Sequence, residues 1–393
     1  MKELSGKSKK GIFARLNDTP AFGGRMDMEF LIILFIIILF GLIMVGSASS
    51  VTALYRQGDS LYFLKKQLIM AILGVIGMLV VSKIDYHILT SPRILLTAIA
   101  VVWVMLFIPL LSGEDLNGAR RWINLGGFSF QPSELAKIVW ILFFAKVCSS
   151  QTKEALNNFK SSWVTYGVML IIVIIPLILQ PHKSAILLIT AVCGIIVILA
   201  GANLKYLVPV GLLGSGGLVI LMLSSSYSRA RLTSFLDPFS DPTGDGWQVI
   251  QSLYAIGSGG LFGKGLGQSV QKALYIPEPH NDFIFAVICE ELGFVGAFFV
   301  LLLFFLLIMR CIKISMEAPD KLGTLIGMGL AALIFVQVVV NICVVTSMLP
   351  VTGMPLPFFS AGGTNLFFTI ASMGILLNIS RQRKTLKNSS KIN

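Results

Sequence analysis

A carboxylate stands where a polar turn gives way to a long apolar run. Residues 276–296 read IPEPHNDFIFAVICEELGFVG, and Asp282 is the last polar residue before Phe283. Pro277 and Pro279 disfavour helix ahead of it, so the spacing predicts a helix start at Asn281 or Asp282. Two readings stand side by side. Either residue could N-cap the helix, as its type favours. Alternatively, an acid at a bilayer surface is unusual enough to be a functional candidate. Glu278 and His280 share its turn and are candidates for contact with a substrate.

Cations that could meet an anionic group lie in two other stretches. NGARRWINLGGFSFQPSELAK (117–137) carries Arg120, Arg121 and Lys137. Guanidinium forks match paired oxyanions, so this set suits a phosphate or diphosphate. Arg beside Trp is also common as an interfacial anchor. Lys137 lies one turn into an apolar run and needs a partner, for which Glu134 at i−3 is placed. The second stretch is a long loop with Arg231, Lys264 and Lys272. Its acids Asp237, Asp241 and Asp245 do not follow the alternation of a calcium loop, and DPFSDPTGDG reads as turn chemistry. His182 and Lys183, in LQPHKSAI, read as a short polar turn. Glu290 and Glu291 sit two turns into the apolar run after Asp282 and read as buried structural polar groups.

These residues must be positioned by a membrane bundle. The chain has 393 residues, 55% of them hydrophobic and 13% charged, more apolar surface than a soluble domain can hide. The sequence predicts an all-α polytopic integral membrane protein. About ten apolar segments fall at 29–50, 63–82, 94–111, 134–149, 163–180, 184–200, 204–224, 283–310, 322–346 and 363–380. The fourth and sixth are short and are expected to pack inside the bundle. With both termini cytoplasmic, 20 of the 31 Lys and Arg and 8 of the 19 acids fall inside, so the whole net charge of +12 sits on that face. The charge is therefore a topology signal and not a nucleic-acid footprint, and the basic tails, 1–28 and 381–393, can touch anionic lipid. Within the membrane domain, 29–380, one large extracellular loop covers 225–282. Val249, Ile250, Leu253 and Ile256 recur there at helical spacing and suggest a short helix lying at the interface. Outer loops also cover 112–133 and 347–362. Leu349 to Leu366, with three prolines and paired glycines, is expected to line an outward cavity. The five cysteines lie in apolar runs and read as buried hydrophobes. The first 28 residues carry no apolar core of a cleavable signal, so the first span is expected to direct insertion.

The ordered motifs resemble a known family over residues 29 to 380. NGARRWI with FQPSELAK, DPFSDPTGDGWQVIQSLYAIGSGGLFGKGLGQSVQK, the 276–296 stretch and LPVTGMPLPFFSAGGTNL together look like the SEDS proteins, typified by FtsW, RodA and SpoVE, and are nearest to the FtsW/SpoVE branch. Two departures stand out. Gln180-Pro181-His182 replaces a frequent QPD, and Ser360-Ala361-Gly362-Gly363 replaces SYGG, so the resemblance implies no role for His182 or Ala361. It implies a peptidoglycan glycosyltransferase that polymerises lipid II at the outer face of a bacterial cytoplasmic membrane during division or sporulation, at the division septum. Asp282 takes the place of the family's essential acid. Partners implied are lipid II, a class B penicillin-binding protein, other divisome or sporulation membrane proteins and the bilayer. A divalent cation, Mg2+ or Mn2+, could bridge diphosphate oxygens, although the sequence shows no protein cage for one. Two alternatives come from other classes: a lipid II flippase or transporter, and a non-enzymatic scaffold for the crosslinking enzyme.

Overall fold

A computed structural model of the chain describes residues 24, 26–112, 120–125, 128–206, 209, 214, 216–217, 234–244, 246–273 and 275–389. The fold is all-α and polytopic, with one small hairpin. In chain order come α1 (Met28–Gln57), α2 (Tyr62–Val81), the short α3 (Tyr86–Leu89), α4 (Pro92–Ser112), β1 (Ile123–Leu125), β2 (Phe128–Phe130), α5 (Pro132–Ser150), α6 (Lys153–Asn157), α7 (Thr165–Leu179), α8 (Lys183–Leu199), α9 (Trp247–Gly259), α10 (Ile284–Met316), α11 (Lys321–Val345) and α12 (Gly363–Ser389). β1 and β2 pair antiparallel, with Asn124 opposite Ser129. Among the described residues, seven helices are long and apolar enough to cross a membrane. The two segments expected to be short behave as predicted: most of α5 is buried inside the bundle, and α8 has only 17 residues. The expected span at 204–224 lies largely outside the described residues.

The polar contacts divide between two ends, as alternating helix directions require. At one end Asp27 caps α1 and pairs with Arg310 at 2.7 Å, while Tyr86 and His87 meet Asp320, the N-cap of α11. At the other end Thr364 donates to the Ser129 carbonyl, Arg121 to that of Pro181, and Gln67 to that of Ser360. Phe159 stacks on Tyr206 at the first end, whereas Trp247 donates to the Tyr275 carbonyl at the second. The described part of the long loop therefore packs at the same end of the bundle as Asp282. Between the ends, α2 and α12 approach closely because Gly374 lies against the Met78 carbonyl, where a Cβ would come within 2.4 Å.

Two expectations need correction. The helix at 249–256 does not lie flat. From Trp247 it runs down beside α10, so that Gly259 meets the Cys289 carbonyl. The chain turns at Leu261 to Gly263 and climbs back to Tyr275, a re-entrant hairpin reaching the level of Val295. The nine helical residues before Gly293 put the seam about 13 Å below the start of α10. The apolar spacing was right, but one buried face serves a descending helix as well as an interfacial one. The second correction concerns α10, which is not one straight helix. Gly293 breaks it with φ 66° and ψ −165°. The hairpin fills the break: Lys264 N and Gly265 N donate to the carbonyls of Glu290 and Glu291, and Phe294 N and Val295 N to those of Gly260 and Leu261. Backbone groups freed at membrane depth are thus satisfied by other backbone.

Candidate functional site

The predicted acid is held from three directions. Asp282 lies half-buried in the turn before α10. The helix begins two residues later than expected, at Ile284, and its N-cap is Phe283, so neither Asn281 nor Asp282 occupies the capping position. Pro279 still bars earlier helix, and the turn through 283 extends the delay. Asn281 instead donates to Glu278 at 3.2 Å. One amide on α11 fixes the turn, since Asn341 Nδ2 donates to the carbonyls of both Asp282 and Met354, each at 2.8 Å. Gly353 has φ 69°, and a Cβ there would stand 3.8 Å from Asp282 Oδ2. Glycine at this position serves both a left-handed turn and open space beside the carboxylate.

Three candidates shape the walls of this turn. Glu278 pairs with Arg56 of α1. His280 is buried, stacks on Phe63 with ring centroids 4.2 Å apart, and accepts from Ala361 N through its carbonyl. Burial pushes its imidazole down to about 4, against the opposing pull of Glu278, so it is neutral near pH 7. Both residues brace the loop that carries Asp282 against α1, α2 and the 349–362 segment.

The acid's neighbours continue toward the cations. Thr352, next to Gly353, accepts at its carbonyl from Ser184 in the first turn of α8. Two residues before Ser184 stands His182, buried, whose Nε2 lies 3.5 Å from Gln131 Nε2. Lys137 is buried and pairs with Glu134 at 2.6 Å, the expected i,i+3 contact, and Asn365 donates to the same carboxylate at 2.9 Å. Arg121 donates to the carbonyls of Gln180 at 3.4 Å and Pro181 at 2.6 Å. Burial first, and then the charges of Arg121 and Lys137, hold the His182 imidazole well below its usual range. A chain of contacts thus runs from Asp282 through Gly353 and Thr352 to Ser184 at the start of α8, and Arg121 meets the turn just before that helix. Arg120 is exposed nearby, and Arg231 lies outside the described residues.

The other two candidate cations are elsewhere engaged. Lys264 Nζ meets Glu290 at 2.7 Å, and Lys272 Nζ meets Glu291 at 2.7 Å and Ser47 at 3.1 Å. They tie the re-entrant hairpin to α10. Among the described residues, no group of three or more His, Cys, Asp or Glu side chains could hold a metal ion.

Charge guided the sequence reading, and neutral groups were missed. Asn341 and Gln337 are one turn apart in an otherwise apolar run, a signal that was available. Nothing in sequence joins Gln131 to His182, because their contact spans 51 residues.

A family model described as "Cell cycle protein", covering FtsW, RodA and SpoVE, matches residues 27–385. Stage V sporulation protein E of Bacillus subtilis is 43% identical over 356 residues, spanning 90% of this chain and 97% of that protein. A probable peptidoglycan glycosyltransferase FtsW of Trichlorobacter lovleyi is 41% identical, spanning 90% and 93%. Among solved structures, a chain from a peptidoglycan synthase complex that coordinates polymerization and crosslinking superposes with TM-score 0.75 at 29% identity, covering 91% of this chain and 98% of that one. The crystal structure of the rod shape determining protein RodA of Thermus thermophilus gives 0.68 at 26% identity, covering 91% and 97%. With the match running through every element that builds the site, the chain belongs to the FtsW/RodA/SpoVE family of multi-pass membrane proteins.

Proposed function

We propose that the chain is a peptidoglycan glycosyltransferase that polymerises lipid II at the outer face of the cytoplasmic membrane, with Asp282 as general base. One observation carries the assignment of the base: the Asp282 carboxylate faces a glycine, off the capping position of its helix, and that glycine's neighbour Thr352 is tied to Ser184 at the start of α8. The names of the relatives support the reaction class. The sugar 4-hydroxyl of the acceptor attacks the anomeric carbon of the donor. A new C–O bond forms there, the bond to the lipid diphosphate breaks, and the hydroxyl proton passes to Asp282. A positioned carboxylate contributes about 10²–10⁴-fold to such a transfer. The departing diphosphate gathers negative charge, which Lys137 and Arg121 offset.

Roles for the remaining candidates follow from their contacts. His280 and Glu278 position the turn, Lys264 and Lys272 support the fold, and Arg120 and Arg231 stay candidates for drawing the anionic substrate in. A divalent cation, Mg2+ or Mn2+, would be carried on the substrate's diphosphate, since no carboxylate cage converges for it among the described residues. The likeness to a chain of a peptidoglycan synthase complex supports a class B penicillin-binding protein as partner, with other divisome or sporulation proteins at the septum.

The test is polymerisation of lipid II by purified full-length protein with its partner. Asp282→Asn and Asp282→Ala should each lose at least about 10²-fold in rate while keeping the wild-type unfolding temperature. Full activity in both variants removes Asp282 from the base role. Growth that survives Asp282→Ala would favour the scaffold alternative.

A further inference from the structure

The turn at 180–182 holds a donor that the fold leaves without a partner. His182 is 8% exposed, and its Nδ1 is buried with no hydrogen bond. Across the ring, Nε2 faces the amide nitrogen of Gln131 at 3.5 Å. With the Gln131 amide placed so that its nitrogen faces the ring, Nε2 accepts and the ring proton is assigned to Nδ1. A buried N–H without an acceptor costs about 1–3 kcal/mol, and such groups in a native fold ask for a ligand.

Its position in the chain names the charge of that ligand. His182 is the N-cap residue of α8, a 17-residue helix, and no side chain caps the first turn. The helix dipole at this end favours an anion. Arg121, which donates to the carbonyls of Gln180 and Pro181, brings positive charge to the turn, and the charge of Lys137 also acts on the ring. Ser184, two residues on, connects the turn through Thr352 to the glycine beside Asp282. A phosphate held here would lie at the far end of the contacts that lead to the proposed base.

We propose that the N-terminus of α8, with the Nδ1–H of His182 at its cap, is a pyrophosphate-binding site that receives the diphosphate of the glycosyl donor. The site deepens the glycosyl-transfer reading and rests on it for the identity of the ligand. His182 is a neutral donor here and moves no proton. It meets an oxyanion that Lys137 and Arg121 alone would hold less directionally.

The experiment uses full-length protein in detergent micelles, free of divalent cations, with inorganic pyrophosphate as probe and thermal stabilisation as readout. His182→Leu should weaken pyrophosphate binding by about tenfold or more, the loss of one hydrogen bond to a charged acceptor. In His182→Asn the amide nitrogen stands where Nδ1 does, and binding should return to within about threefold of wild type. His182→Gln puts its nitrogen at the Nε2 position and should not restore it. Unchanged binding in His182→Leu overturns the proposal, as does rescue by Gln equal to that by Asn, or no pyrophosphate binding by the wild type. Because the Asn and Gln variants are compared with each other, the result stands even if the Leu variant folds poorly. The two readings also fail separately. Pyrophosphate binding that follows this pattern without any polymerisation sinks glycosyl transfer and keeps the site. Polymerisation with pyrophosphate binding indifferent to His182 does the reverse.

Discussion

Beside α10, every carboxylate oxygen of Glu290 and Glu291 is occupied. Glu290 accepts from Lys264, Ser258, Ser269 and the backbone N–H groups of Val270 and Gln271, and Glu291 from Lys272 and Ser47. Around the start of α8, by contrast, Ser133 Oγ, His182 Nδ1, Thr352 Oγ1 and Asn341 Oδ1 are buried with no partner among the described residues. Both regions lie in the same half of one bundle as Asp282 and both bury charge. In the first the fold itself satisfies both carboxylates, so its charges hold structure, although Gln271 Oε1 in the same hairpin is also buried without a partner among the described residues. The second is left incomplete, which a protein tolerates where a ligand or water completes the set.

Breaking the closed region should cost stability first. Lys272→Met leaves Glu291, fully buried, without its cation, a loss of about 3–5 kcal/mol that thermal unfolding in detergent would register. Lys264→Met should cost far less, on the order of 1 kcal/mol, because its side chain is 34% exposed and Glu290 keeps its serine and backbone donors. Equal losses in the two variants, or a Lys272→Met protein that stays stable but inactive, would erase the distinction between the regions. The seam itself comes next. Gly293→Ala forces a side chain to φ 66° and drives a Cβ to within 2.3 Å of Gly263 N, for about 1–3 kcal/mol of strain before any displacement of the hairpin. Wild-type stability in this variant would mean that α10 can straighten without the hairpin.

The opposite end of the bundle sharpens the contrast by repeating the closed pattern at an exposed site. His87 bridges Asp320 and Asp85, each at 2.8 Å, with its side chain 45% exposed. Those hydrogen bonds, Asp320 first, raise its imidazole from 6.5 to about 9. A raised histidine stabilises the fold fully below the unfolded value and loses that contribution as pH climbs through the folded one. Stability should therefore fall between pH 6.5 and 9, the interval set by the two values, and solvent screening limits the change to about 1 kcal/mol. His87→Gln should flatten this slope. A slope that persists in the variant assigns it to another group.

Much of the scaffold could be read from residues alone, for physical reasons that also mark where reading stops. Apolar runs announce spans because lipid tolerates little else, and the Glu134–Lys137 pair was visible because i,i+3 neighbours always meet on a helix. The break at Gly293 was not visible, since one glycine in an apolar run says nothing about a second chain segment 30 residues earlier. Lys264 and Lys272 looked like substrate ligands for the same reason: a sequence shows a charge but not the acid across the fold that neutralises it. His182 was set aside as a turn residue. Its tautomer depends on Gln131, and only the folded chain brings the two together.

The re-entrant hairpin also constrains how the protein can be made. Lys264 and Gly265 find acceptors for their N–H groups only on Glu290 and Glu291, which leave the ribosome later. Until α10 has entered the membrane, the hairpin has nothing to dock on, and its bare amides would be stranded in hydrocarbon at a cost of several kcal/mol. It must therefore wait at the bilayer surface during synthesis and slip in beside its neighbour afterwards, so this part of the protein is assembled in the reverse of its chain order.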